Sequence, residues 1–91
     1  MRTVRLFVSG RVQGVGYRLW AERTAAALGI RGWVRNRADG RVELLGTGDA
    51  AAIAALIEAC GQGPRAALVD EVVVAAADDD GSAGFAARPT L

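Results

Sequence analysis

Three glycines, Gly10, Gly14 and Gly16, fall close together between two different kinds of pattern. Before them Val4, Leu6 and Val8 alternate with Arg5, Phe7 and Ser9, the period of a strand from about Thr3 to Ser9 with one apolar face. After them Tyr17, Trp20 or Ala21, Thr24 and Leu28 fall at helical spacing and are expected to face the sheet, in a helix from about Tyr17 to Leu28 that Gly29 ends. The chain must therefore pass from strand to helix through a short glycine-rich turn. Such a turn can aim several backbone N–H groups into one concavity, because glycine accepts the needed backbone angles and lets a ligand approach. The first turn of the helix adds free N–H groups and the positive end of the helix dipole. Arg18 sits in that turn, with a planar guanidinium able to grip two phosphate oxygens. The reading is a phosphate cradle, although the spacing alone leaves open a tight turn with no ligand. It fits neither G-x-G-x-x-G nor the Gly-Lys-Ser/Thr ending of a nucleotide loop.

The remaining patterns set the fold. A second strand is expected over about Arg31–Arg37 and a third over about Arg41–Thr47. Ala38-Asp39-Gly40 between them is a hairpin signal. Asp49 is the expected N-cap of a second helix, whose buried stripe is Ile53, Leu56, Ile57 and Cys60 and which ends across Gly61 to Pro64. A valine-rich fourth strand spans about Ala67–Ala76. Asp78-Asp79-Asp80-Gly81-Ser82 reads as a solvated loop, and Gly84 to Arg88, carrying Phe85, as a possible short fifth strand. The order βαββαβ predicts an α+β, ferredoxin-like sandwich: an antiparallel sheet with two helices on one face. Residues 1–91 read as one domain, with no linker or repeat.

Composition narrows the function. Hydrophobic residues make up 52% of the chain and charged residues 23%, which suits a packed core. One cysteine, Cys60, and no histidine leave no disulfide and no Cys/His metal site. Cys60 itself reads as a small helix-face residue. The N-terminus has no signal-peptide pattern and no run approaches a membrane span, so a cytoplasmic protein is expected. All basic residues are arginine. Nine arginines in residues 1–41 against Glu22 and Asp39 leave +7 there, and two against eight acids leave −6 in the rest. Arg35, Arg37 and Arg41 are expected to face solvent, and Trp20 and Trp33 to pack.

Two blocks of the sequence resemble one family. Val8-Ser9-Gly10-Arg11-Val12-Gln13-Gly14-Val15-Gly16-Tyr17-Arg18 is similar to the signature of the acylphosphatases, and Gly32-Trp33-Val34-Arg35-Asn36-Arg37-Ala38-Asp39-Gly40-Arg41-Val42-Glu43 resembles a second block of that family. The blocks stand in the family's order, and the resemblance runs over most of the chain. At position 16 the family more often carries an aromatic or another side chain, where this chain has Gly16. The resemblance implies a ferredoxin-like fold and hydrolysis of acyl phosphates. It matches the backbone of Arg11, Val12, Gln13, Gly14, Val15, Gly16 and Tyr17 to a phosphate loop, Arg18 to the phosphate-binding arginine and Asn36 to the water-orienting asparagine.

The residue inventory agrees with that chemistry. Without histidine there is no ordinary proton shuttle near neutral pH and no Ser-His or Cys-His pair. No paired carboxylates flank the loop, so two-metal phosphoryl transfer is not expected, and no cofactor is implied. An acyl phosphate needs little help, since its leaving carboxylate belongs to an acid with a pKa of roughly 4. Holding the phosphoryl group and placing a water then supply most of the catalysis. Asn36 offers both a donor and an acceptor for that water, and the substrate phosphate can take its proton. Small acyl phosphate and inorganic phosphate are the expected partners, with no nucleic acid, no membrane and a monomeric chain. The alternatives are a small-anion or RNA-binding module of the same fold without turnover. Eleven arginines would suit RNA, but the aromatic pattern of RNA-binding sheets is missing.

Overall fold

The alternation in the first strand dictates where it lies. Val4, Leu6 and Val8 are fully buried while Arg5 is exposed, so one face of β1 (Arg2–Arg11) must be covered. A computed structural model of the protein, describing residues Met1–Leu91, places β1 between two neighbours. It pairs antiparallel with β3 (Val42–Gly48), Leu6 opposite Leu44, and antiparallel with β4 (Leu68–Ala76), Leu6 opposite Val74. β2 (Arg31–Asn36) lies antiparallel on the far side of β3, with Asn36 opposite Val42. β5 (Phe85–Ala87) joins β2 in parallel. The order across the sheet is β4-β1-β3-β2-β5. The ferredoxin-like arrangement is as expected for its four long strands. The short fifth strand makes the sheet mixed rather than antiparallel throughout, because the chain returns along β2 in β2's own direction.

Two helices cover the face that carries Val4, Leu6, Val8, Val34, Val42 and Leu44. Helix α1 (Tyr17–Ala27) buries Tyr17, Ala21 and Ala25, a stripe at four-residue spacing. The small alanines let it approach closely, while Trp20 sits half-buried at its edge, 5.1 Å from the Tyr17 ring centre in an edge-on contact. Thr24, expected on the buried stripe, is only half-buried. Helix α2 (Ala50–Gln62) buries Ile53, Leu56 and Cys60, while Ile57, also expected on that stripe, is only partly buried against the core. Each large aliphatic side chain withdrawn from water here contributes about 1.5–3 kcal/mol. Asp49 occupies the N-cap position of α2, but its carboxylate makes no capping hydrogen bond. Between the helices the Tyr17 hydroxyl donates to the Cys60 carbonyl at 2.7 Å. No helix is long and apolar enough to cross a membrane.

The other face of the sheet has no helix and solves its polarity differently. Glu43 is 1% exposed, although it is charged. Three arginines enclose it: Arg35 Nε at 2.8 Å, Arg37 at 3.2 Å and Arg5 at 3.5 Å. Arg35 also lies over the Trp33 ring, and Arg41 over Phe7 while pairing with Asp39. Arg35 and Arg37 are thus drawn down onto the sheet instead of facing solvent, because a buried carboxylate requires partners. The acidic loop is likewise anchored: Asp79 pairs with Arg31 at 2.7 Å and Asp80 accepts from the Trp33 indole at 3.0 Å. These contacts hold the Asp79 and Asp80 carboxyls below their usual range, Asp79 chiefly through Arg31 and Asp80 chiefly through the Ser82 hydroxyl.

Candidate active site

The loop begins with an irregularity. β1 and β4 slip register between Ser9 and Gly10, leaving Asp70 without a partner in β1. Gly10 has φ +123°, and a side chain there would run into the Leu68 carbonyl of β4. Only glycine lets β1 stay on the sheet while it bends. The strand then continues through Arg11, and the loop proper is Val12 to Gly16. Gly16 is the N-cap of α1, left-handed at φ +81°, which turns the chain into the helix. A Cβ at Gly16 would meet no atom within 4 Å. The glycine therefore serves the backbone angle and leaves open space in front of it.

No backbone N–H group from Gln13 through Leu19 donates to a protein acceptor. The start of α1 has neither a capping side chain nor an acidic residue in its first turn. Arg18 stands there instead, exposed and in no ion pair. A cation at the positive end of a helix is unfavourable by a few tenths of a kcal/mol or more. An anion seated on the free N–H groups and the guanidinium reverses the sign of that term.

Asn36 faces this end of α1. It follows Val34 by two residues in β2, so its side chain emerges on the same, helix-covered face. The helix stops short of it, and its half-buried amide makes no hydrogen bond to protein. Its backbone carbonyl is held by the Leu91 N–H at 3.1 Å. Gln13 connects the two sides of the site. Its amide donates to the carbonyls of Arg37 at 2.8 Å and Arg41 at 2.9 Å, tying the loop to the β2–β3 turn beside Asn36.

One cleft of about 320 Å³ gathers these groups; its walls are Val12, Gly14, Gly16, Tyr17, Arg18, Leu19, Glu22, Asn36 and Ala87. Of the residues expected from sequence, Val12, Gly14, Gly16, Tyr17, Arg18 and Asn36 meet there. Arg11 ends β1 opposite Leu68, and Gln13 and Val15 lie outside the cleft walls. Tyr17 turns its ring into the core. Its hydroxyl pKa is raised, first by burial and then by the neighbouring Cys60. Burial likewise pushes the Cys60 thiol up to about 11. Sequence reading missed Leu19, Glu22 and Ala87. Glu22 lies one helical turn after Arg18, a spacing that could have flagged it. Ala87 carries no signal of its own. No group of three or more His, Cys, Asp or Glu side chains is placed to hold a metal ion.

Two helices packed on one face of a five-stranded mixed sheet, with open backbone amides at the β1–α1 junction, define a small ferredoxin-like α+β domain. Residues 4–87 match the acylphosphatase family, and the chain belongs to that family. It is 47% identical to the acylphosphatase of Rhodospirillum rubrum over 91 residues, covering the whole of both chains. It is 54% identical over 79 residues to that of Rhodopseudomonas palustris, which spans 86% of this chain and 80% of that one. Its backbone matches the crystal structure of the acylphosphatase from Bacillus subtilis with a TM-score of 0.93 at 36% identity, over 97% of this chain and 99% of that one.

Proposed function

We propose that the protein hydrolyses the carboxyl–phosphate anhydride of acyl phosphates to a carboxylate and inorganic phosphate. The observation that carries this reading is the run of unengaged backbone N–H groups from Gln13 to Leu19, with Gly14, Gly16, Arg18 and the free Asn36 amide lining one cleft. The backbone amides and the guanidinium hold the phosphoryl oxygens and neutralise their charge. Asn36 accepts a hydrogen bond from a water and directs its oxygen at phosphorus. As the new P–O bond forms, the bond to the acyl oxygen breaks and the electron pair leaves with the carboxylate. The water's proton passes to a phosphate oxygen, so no protein base is needed. The leaving group needs no acid, since its conjugate acid has a pKa of roughly 4.

The same inventory supports turnover without a metal, because the cleft offers one carboxylate, Glu22, and no histidine. The test is phosphate release from acetyl phosphate with and without a chelator. Equal rates are expected. Loss of activity on chelation, restored by added metal, overturns the metal-free mechanism, and binding of phosphate without any turnover favours the anion-binding alternative.

A further inference from the structure

The phosphate cradle does not account for the whole cleft: Leu19, Glu22 and Ala87 also line it, and a phosphate group does not require them. Leu19 is 53% exposed although it is apolar. It sits one residue after Arg18, so an acyl chain leaving the cradle can lie against it. Glu22 is fixed: its Oε1 accepts the Ala87 N–H of β5 at 2.8 Å. Its charge is not spent on an ion pair, with Arg18 or with any other arginine. A half-buried carboxylate outside any ion pair therefore borders the cleft.

We propose that Leu19, Ala87 and Glu22 form an acyl-binding subsite that selects acyl phosphates with an uncharged or cationic acyl group over those bearing a second carboxylate. The inference rests on the acyl phosphate reading and adds the substrate class to it. Leu19 and the Ala87 methyl supply the apolar wall. Glu22 supplies the discrimination, since two like charges facing each other across a partly desolvated cleft repel more strongly than in bulk water. The hydrogen bond to Ala87 keeps that charge in place, where a free glutamate would swing into solvent.

The experiment compares butyryl phosphate with succinyl phosphate, which are similar in length and differ in a terminal carboxylate. Wild type should favour butyryl phosphate in kcat/KM. Glu22→Gln keeps an oxygen to accept the Ala87 N–H and removes the charge. It should raise succinyl phosphate relative to butyryl phosphate by roughly tenfold at low salt. The difference should shrink at high ionic strength. A merely structural loss would lower both substrates alike. Leu19→Ala provides a second arm: kcat/KM for butyryl phosphate should fall several-fold, with acetyl phosphate nearly unchanged. An unaltered butyryl-to-succinyl ratio in Glu22→Gln, with both substrates turned over, overturns the charge selection. Equal loss on butyryl and acetyl phosphate in Leu19→Ala overturns the apolar wall. If wild type hydrolyses none of the three, the acyl phosphate reading itself has failed.

Discussion

At the scale of single residues, the proposed mechanism has Arg18 complete an arrangement that the backbone has begun. The N–H groups of the loop are directional and fixed, so the side chain must meet the remaining phosphate oxygens in a set geometry. Guanidinium does this with parallel donors on a rigid plane, whereas ammonium is a flexible point charge. Arg18→Lys is therefore expected to lose nearly as much turnover as Arg18→Ala, although it keeps the charge. Steady-state rates of both variants, with folding checked by circular dichroism, decide the point; a lysine variant close to wild type refutes the planar requirement. Asn36 makes a different prediction. If it directs the water, Asn36→Ala lowers kcat by roughly 10²-fold. Phosphate binding, read by competitive inhibition, changes much less, because the cradle is intact. Weakened phosphate binding with kcat unchanged would move Asn36 from the reaction to the cradle.

At the scale of elements, α1 and α2 meet through Tyr17 and Cys60, and that contact titrates. Both groups have raised pKa values because burial disfavours their anions. A raised folded-state pKa contributes stability that is fully present below the unfolded value, 9.0 for the thiol and 10.0 for the phenol. The thiol's contribution is lost as pH rises through about 11. The chain contains no lysine, one tyrosine and one cysteine, so few side chains compete with this pair in the alkaline range. Stability should hold flat from about pH 7 to 9 and then fall by about 1.4 kcal/mol per pH unit for each deprotonating group. Urea unfolding at pH 8 and pH 10.5 measures it; equal midpoints would show that the clamp does not titrate. The order of the elements, the hairpin and the buried stripe of α2 were legible because each follows a local period. The stripe of α1 was less so. Ala21 and Ala25 won the buried positions over Thr24 because closeness of approach, which no local pattern displays, favours small side chains.

At the scale of the whole molecule, the uneven charge of the sequence proves to be a pairing scheme. Arg31, from the basic half, meets Asp79 of the acidic half, and Arg5, Arg35 and Arg37 converge on Glu43. Neither was legible along the chain, because both depend on strands that are distant in sequence lying side by side. The open loop at the β1–α1 junction was legible, since its glycines and Arg18 are contiguous in sequence. The rest of the cleft was not: Glu22 becomes part of it only when β5 folds back to offer the Ala87 N–H.

β5 and the segment after it cover one border of the sheet; β4 forms the other and pairs only with β1. Asp70 and Glu71 guard the first part of β4, but from Val72 to Ala76 no charge follows, and Val73 and Val74 are exposed. An unpaired, valine-rich border is a template on which another chain can add a strand. The free border thus leaves an edge on which copies of the chain can add strand to strand when the fold is destabilised. Val73→Lys should slow that assembly, followed by thioflavin fluorescence and light scattering, and leave phosphate release unaltered, since the substitution lies far from the cradle.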